Sequence, residues 1–221
     1  YDVDFSTRNM NDFVSLTIEE DVSIDIDRDI TVTNAFTNNG TVTVSDSGIT
    51  ITCGSIENNG YLQNSGTLTF TGNLDVTNDA TFTRDFTNEG TIKVSKNATF
   101  SDMFTNKGNL SVIGDGTFSY EVNNSGTISI SKNANFDASL INSGTITCGA
   151  GDFTVTGTTS ATGTISASGD ITFDGNADVA EVTSTSGVIS FTGDATASGT
   201  ISAGGDITFG ANAIINEVTS S

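Results

Sequence analysis

Apolar and polar residues alternate along most of this chain, in short runs bounded by Gly, Asn and Ser. In "FVSLTI" (13–18), "TVTV" (41–44) and "TISI" (127–130) every second residue shares one face, the period of a half-buried strand. No stretch carries the 3.6-residue period of an amphipathic helix. No run approaches the roughly 18–20 apolar residues of a membrane helix. The pattern predicts an all-β protein of short strands.

The strands recur in register. Gly72, Gly90, Gly108, Gly126 and Gly144 are 18 residues apart without an insertion. Two positions after each Gly stand Leu74, Ile92, Leu110, Ile128 and Ile146, and four after it Val76, Val94, Val112, Ile130 and Cys148. Ten after it come Phe82, Phe100, Phe118 and Phe136; sixteen after it come Asn88, Asn106, Asn124 and Asn142. Beyond this regular section, 72–151, the period doubles: "GTISASGDITFDGNADVAEVTS" (163–184) returns 36 residues later as "GTISAGGDITFGANAIINEVTS" (199–220). Residues 1–39 contain no Gly and are expected to form an N-terminal cap or assembly segment, with the repeats filling 40–221.

An 18-residue unit of two or three strands cannot bury its own apolar face, but a stack of such units can. The expected fold is therefore a β-solenoid of stacked β-arches, with equivalent residues about 4.8 Å apart along the axis. In it Phe82, Phe100, Phe118 and Phe136 form a core ladder, each buried ring contributing about 1.5–3 kcal/mol. Asn88, Asn106, Asn124 and Asn142 form a turn ladder, with Asn tolerating left-handed backbone and hydrogen-bonding to the Asn above and below. Gly is expected to supply positive φ at the corner. The N-x-G signals also fit hairpins in an antiparallel meander. A meander gives no reason for identical ladders in consecutive units, and handedness is not encoded in the apolar offsets.

Composition narrows the function classes. With 27 acidic and 7 basic residues the formal charge is −20, which repels nucleic acid and anionic membranes. Nothing basic follows Lys132. The chain opens on Tyr1 rather than Met, which is read as an extracellular, cell-surface product after removal of a signal peptide. The absence of His removes the common Ser-His-Asp and Cys-His sites and imidazole metal ligands. No phosphate-binding or dinucleotide fingerprint is present, and the carboxylates are scattered over outward positions. No enzyme activity and no organic cofactor are expected.

Three features hold candidate chemistry. In "EEDVSIDIDRD" (19–29), Asp25, Asp27 and Asp29 share one strand face, either as a solvated surface or as Ca²⁺ ligands completed by other oxygens. Alternating Thr suggests an ice-binding rank, but the outward pairs Asn73/Asp75 and Thr91/Lys93 interrupt it with charge. Asn39, Asn97, Asn109 and Asn123 lie in N-x-S/T sequons. Finally, Cys53 and Cys148 each continue an inward aliphatic set. At 18 residues per turn they stand about five turns, roughly 25 Å, apart, beyond the ~7 Å a disulfide spans. They are either buried thiols or candidates for intermolecular disulfides.

The segments "GTISASGDITF" and "GTISAGGDITF", preceded by "NSGTI", resemble the repeats of filamentous-haemagglutinin-like adhesins and other bacterial surface β-solenoids. In size, acidity, β-arch repeats and paired Cys the chain is also similar to the amyloid-like major sheath proteins of filamentous methanogenic archaea. The second resemblance implies a self-assembling extracellular structural protein, with itself as partner, forming a sheath, surface layer or filament. The first implies an adhesin-type module that binds glycans or host and cell surfaces.

Overall fold

The structure is a computed structural model and describes residues 12–44, 51–58, 61–64, 68–70, 73–76, 80–82 and 86–220. No helix occurs among them, and every strand pair is parallel, which excludes the meander. One rung shows the plan. Ala98–Phe100 lies in a front sheet, Phe104–Asn106 forms the first limb of a second sheet, and Asn109–Val112 forms its second limb. The chain then returns to the front sheet as Gly116–Phe118, with Ala98 opposite Gly116 and Phe100 opposite Phe118. The front sheet stacks eleven such strands, from Ser23–Ile26 to Ile207–Phe209. The described part of the Gly-free segment belongs to the same stack. Ile24 pairs with Val42 and Val32 with Cys53.

The regular section holds its 18-residue register until the corner after Cys148. There, residues 149–152 occupy a corner that residues 131–133 fill one rung earlier, so Ile130 still meets Cys148 but Ala134 meets Phe153. From Thr159 onward the two limbs merge into one bent strand, as in Thr159–Ala167 and Ala177–Ser184. The bend alternates: two residues separate Ala161 from Thr164, but one separates the opposing Val179 from Glu181. The same offset recurs opposite Ala197/Thr200. The 36-residue doubling is thus a bend that gains a residue on every second rung.

The core changes composition at the same seam. Along the front sheet Ala80, Ala98, Gly116 and Ala134 give way to Phe153, Ile171, Ile189 and Ile207. In the first limb Phe86, Phe104, Val122 and Leu140 give way to Thr159, Ala177, Ala195 and Ala213. Bulk moves from one sheet to the other, so the interior keeps its volume, as close packing demands. At Gly116 the tightness is visible directly: a Cβ there would lie 2.5 Å from Cδ1 of Ile130. A loss follows at the seam, where the buried Thr159 hydroxyl finds no hydrogen-bond partner.

Candidate assembly surface

The ladders position everything else. Phe82, Phe100, Phe118 and Phe136 are buried, and their rings stack at 4.8, 5.0 and 4.6 Å, the inter-strand spacing. Asn88, Asn106, Asn124 and Asn142 are buried too. The Nδ2 of Asn88, Asn106 and Asn124 each donates to the Oδ1 one rung on, at 2.7, 2.7 and 2.8 Å, and to a carbonyl of the second limb, while that of Asn142 donates to the carbonyls of Gly144 and Thr164. Two backbone expectations need correcting. The one non-Gly residue with positive φ among the described residues is Asp21, so the Asn ladder works through its side chains and not through left-handed backbone. Gly108, Gly126 and Gly144 are likewise not in the left-handed region. A Cβ at each would fall on the carbonyl oxygen of the Gly one rung below, so the column is glycine because rungs touch backbone to backbone there.

Cys148 is 1 % exposed and follows Val94, Val112 and Ile130 in an inward column that continues as Ala167. Its thiol donates to the carbonyls of Lys132 and Asp152, and burial pushes its pKa up. A bridge from Cys148 to another chain requires opening the rung, so the thiol is a small core residue at the corner where the register slips. The Cys53 side chain lies outside the described residues. Its strand, Ile51–Asn58, is five pairings from that of Cys148, through Asn73, Thr91, Asn109, Thr127 and Thr145.

Asp25, Asp27 and Asp29 are exposed, with Ile24, Ile26 and Ile30 buried between them. Asp27 pairs with Arg28 at 2.7 Å, and the hydrogen bond from that guanidinium holds its carboxyl below the usual range. Among the described residues no three Cys, Asp or Glu side chains converge as a metal ion would need. Of the sequon residues, Asn97 and Asn109 are exposed and Asn39 and Asn123 half-buried. Asn123 donates to Glu121 at 3.0 Å. The second-limb rank Thr91, Asn109, Thr127, Thr145 is in register, and Lys93 stands in the neighbouring rank. A less interrupted rank runs along the front sheet, through Thr99, Thr117, Asn135, Thr154, Thr172 and Ser190.

Sequence reading missed two further ladders. Where the chain enters the front sheet, Oδ1 of Asn97 accepts the backbone N–H of Asp115, and Asp115 that of Asn133. Asn133, Asp152 and Asp170 continue the series onto Asp152, Asp170 and Val188, all at 2.9–3.1 Å. Where the chain leaves the sheet, Asn176 accepts from Asp194 at 3.0 Å and Asp194 from Asn212 at 3.1 Å. The signal was present as Asn or Asp seven residues after Gly90, Gly108 and Gly126, hidden because the residue type alternates. The carboxylates of Asp115, Asp152, Asp170 and Asp194 are therefore structural acceptors, each tying its rung to the next.

The last described rung, Ile207–Phe209 and Ala213–Ser220, has a neighbour on one side. None of the described residues lies on the other. Val182 and Ile201 are fully buried, whereas Val218, next in that column, is 48 % exposed. Ile207, Phe209 and Ile215 are only partly buried, while Ile214 continues the outward rank of Asp178 and Thr196 and is exposed.

Compared with known proteins, the chain matches no family model, no curated protein and no solved structure. The repetitive parallel β-solenoid is shown by the fold; the haemagglutinin-like and sheath-protein resemblances gain no support from these comparisons. No helix among the described residues is long and apolar enough to cross a membrane.

Proposed function

We propose that this chain is a self-assembling extracellular structural protein whose solenoids stack rung on rung into a filament, sheath or surface layer. One observation supports the reading: the chain already stacks on itself rung by rung through identical residues, with the Phe82, Phe100, Phe118 and Phe136 rings 4.6–5.0 Å apart and Asn88, Asn106, Asn124 and Asn142 joined amide to amide. Parallel in-register stacks of identical residues extend by adding further rungs of the same kind. The chain is its own partner in this reading, and no catalytic step is involved. Because Cys148 is enclosed, assembly rests on stacking and not on a disulfide from that residue.

The alternative, an adhesin-type module binding glycans, draws on a different feature. A shallow open groove of roughly 190 Å³ runs along the outer face of the second sheet, between Thr105, Asn123 and Ile141 on one side and Lys107, Ser125 and Ser143 on the other. Hydroxyl, amide and amine groups around one aliphatic surface suit a neutral sugar. Sedimentation velocity and electron microscopy of the purified chain, with and without reductant, separate the two. Structural assembly gives SDS-resistant polymers that survive reductant. A chain that stays monomeric at high concentration and retains an oligosaccharide supports the module instead.

A further inference from the structure

We propose that stacks of this chain join side by side, the corner holding Lys96, Ile113 and Lys132 in one copy docking level on the corner holding Asp102, Tyr120 and Asp137 in the next. This is the sideways contact that a sheath or surface layer needs, and it rests on the stacking function proposed above. The two corners lie at opposite edges of the front sheet. Residues 95–97, 113–115 and 131–133 lead into Ala98–Phe100, Gly116–Phe118 and Ala134–Phe136, and residues 101–103, 119–121 and 137–139 lead out of them. These three rungs have other rungs of the chain on both sides, so the surface is the flank of the stack and not its end.

The corners complement each other rung by rung. The entry corner presents a cation, an aliphatic and a cation; the exit corner presents a carboxylate, an aromatic ring and a carboxylate. Ile113 and Tyr120 are 58 % and 60 % exposed, where neighbouring rungs put Ser95 and Ser131 in one column and Asp102 and Ala138 in the other. Lys96, Lys132 and Asp137 are exposed and Asp102 is half-buried, and none of the four forms an ion pair with a described residue. The other carboxylates at these levels are already engaged: Asp115 accepts the Asn133 N–H and Glu121 accepts from Asn123, both at 3.0 Å. Parallel copies share one rung spacing, about 4.8 Å, so a neighbour at the same height meets all three levels at once, two ion pairs flanking an apolar contact. A slide of two rungs also matches charge, Lys96 with Asp137 and Lys132 with Asp174, but sets Ile113 against Gly157. The apolar pair therefore selects the level alignment. Higher up, Asp170 approaches a corner holding Asp174, so attraction is confined to these three rungs. The contact is heterologous, and it propagates along a row of stacks or closes the row into a tube.

The test uses the full chain and follows sideways association of assembled filaments by low-speed pelleting and electron microscopy. Circular dichroism checks that each variant retains its β-structure. Wild-type filaments are expected to form rafts at low ionic strength and to separate, still as filaments, in about 0.5 M NaCl, where the screening length falls to roughly 4 Å. K96E/K132E and D102K/D137K are each expected to need about tenfold more protein to form rafts, the second even though it lowers the net negative charge. Mixing filaments of the two variants restores opposite charges across the contact and is expected to return rafting to within about threefold of wild type. I113S/Y120S is expected to weaken rafting by about fivefold. Reversed-charge variants that raft like wild type, a mixture that stays dispersed, or wild-type filaments that remain single overturn the sideways docking and leave the stacking function standing. An I113S/Y120S variant that rafts like wild type overturns the level alignment. A wild-type chain that never forms filaments removes the stacking function, and the docking with it.

Discussion

Replacing Asn124 by Ala tests what the buried amide column does. Asn124 sits mid-ladder, 3 % exposed. Its Oδ1 accepts from Asn106 at 2.7 Å, and its Nδ2 donates to Asn142 at 2.8 Å and to the carbonyls of Gly126 and Thr145 at 3.3 Å. The truncation strips the Asn142 Oδ1 of its ladder donor. The Asn106 amide keeps carbonyls of Gly108 and Thr127 at 3.2 and 3.1 Å and is less affected. One orphaned buried acceptor costs about 1–3 kcal/mol, and with the lost bonds and the small void the total is about 2–4 kcal/mol. Urea unfolding followed by circular dichroism measures it, with the outward-facing Asn135→Ala expected within about 0.5 kcal/mol of wild type. Amide exchange at Asn109, Thr127 and Thr145 should accelerate most, since these residues open the second limb. A further comparison separates a ladder from a set of independent amides. From Asn142 the column continues as Ala161, Val179 and Ala197, so an apolar bend is sterically admissible. Changing all four Asn to Val together should destabilise by clearly less than four times N124V, because partners removed together leave few orphans. A loss under about 1 kcal/mol for N124A, or strict additivity across the column, would refute the reasoning.

Other outcomes follow from single sites. Thr159→Val should stabilise by about 1 kcal/mol in the same urea assay, since it removes a buried hydroxyl without a partner at nearly constant volume. Gly126→Ala should destabilise the regular section by about 2 kcal/mol or more, because the added Cβ meets the Gly108 carbonyl of a rigid neighbouring rung. In a C53S background, Cys148 should resist thiol reagents until the rung unfolds. Its native pKa is raised, so its contribution is intact below the ordinary thiol range and is lost as pH climbs from there through the folded value; a titration of unfolding midpoints reads the decline. Salt should lower the critical concentration for assembly, because chains of formal charge −20 repel one another.

The stack was legible because its causes are local and repeated. The column from Ile92 to Ile146, the Phe82–Phe136 ladder and the Asn88–Asn142 ladder are written as identical residues at a fixed spacing, and stacking is how such a pattern buries its face. What stayed hidden depends on contacts between rungs. The Gly column reads as turn chemistry until the approach of Gly108 to the Gly90 carbonyl is seen, because sequence gives no inter-rung distance. The Asn97–Asp115–Asn133 series reads as surface acidity, since Asn and Asp are interchangeable as acceptors but look different in a string. The exchange of bulk between the Ala134/Phe153 and Leu140/Thr159 columns involves positions that are not neighbours in sequence, so each half looks merely irregular. The burial of a repeated segment is set by the rung stacked on it and not by its own residues: the "EVTS" of 217–220 repeats that of 181–184, where Val182 and Ser184 are buried.

A filament reconstruction by electron cryomicroscopy at side-chain resolution tests the central claim most directly. Rung-on-rung assembly gives one continuous stack of parallel strands about 4.8 Å apart along the filament axis, with the spacing unbroken from one copy to the next. Filaments joined through the outer faces of the sheets, with the stack interrupted between copies, would contradict it.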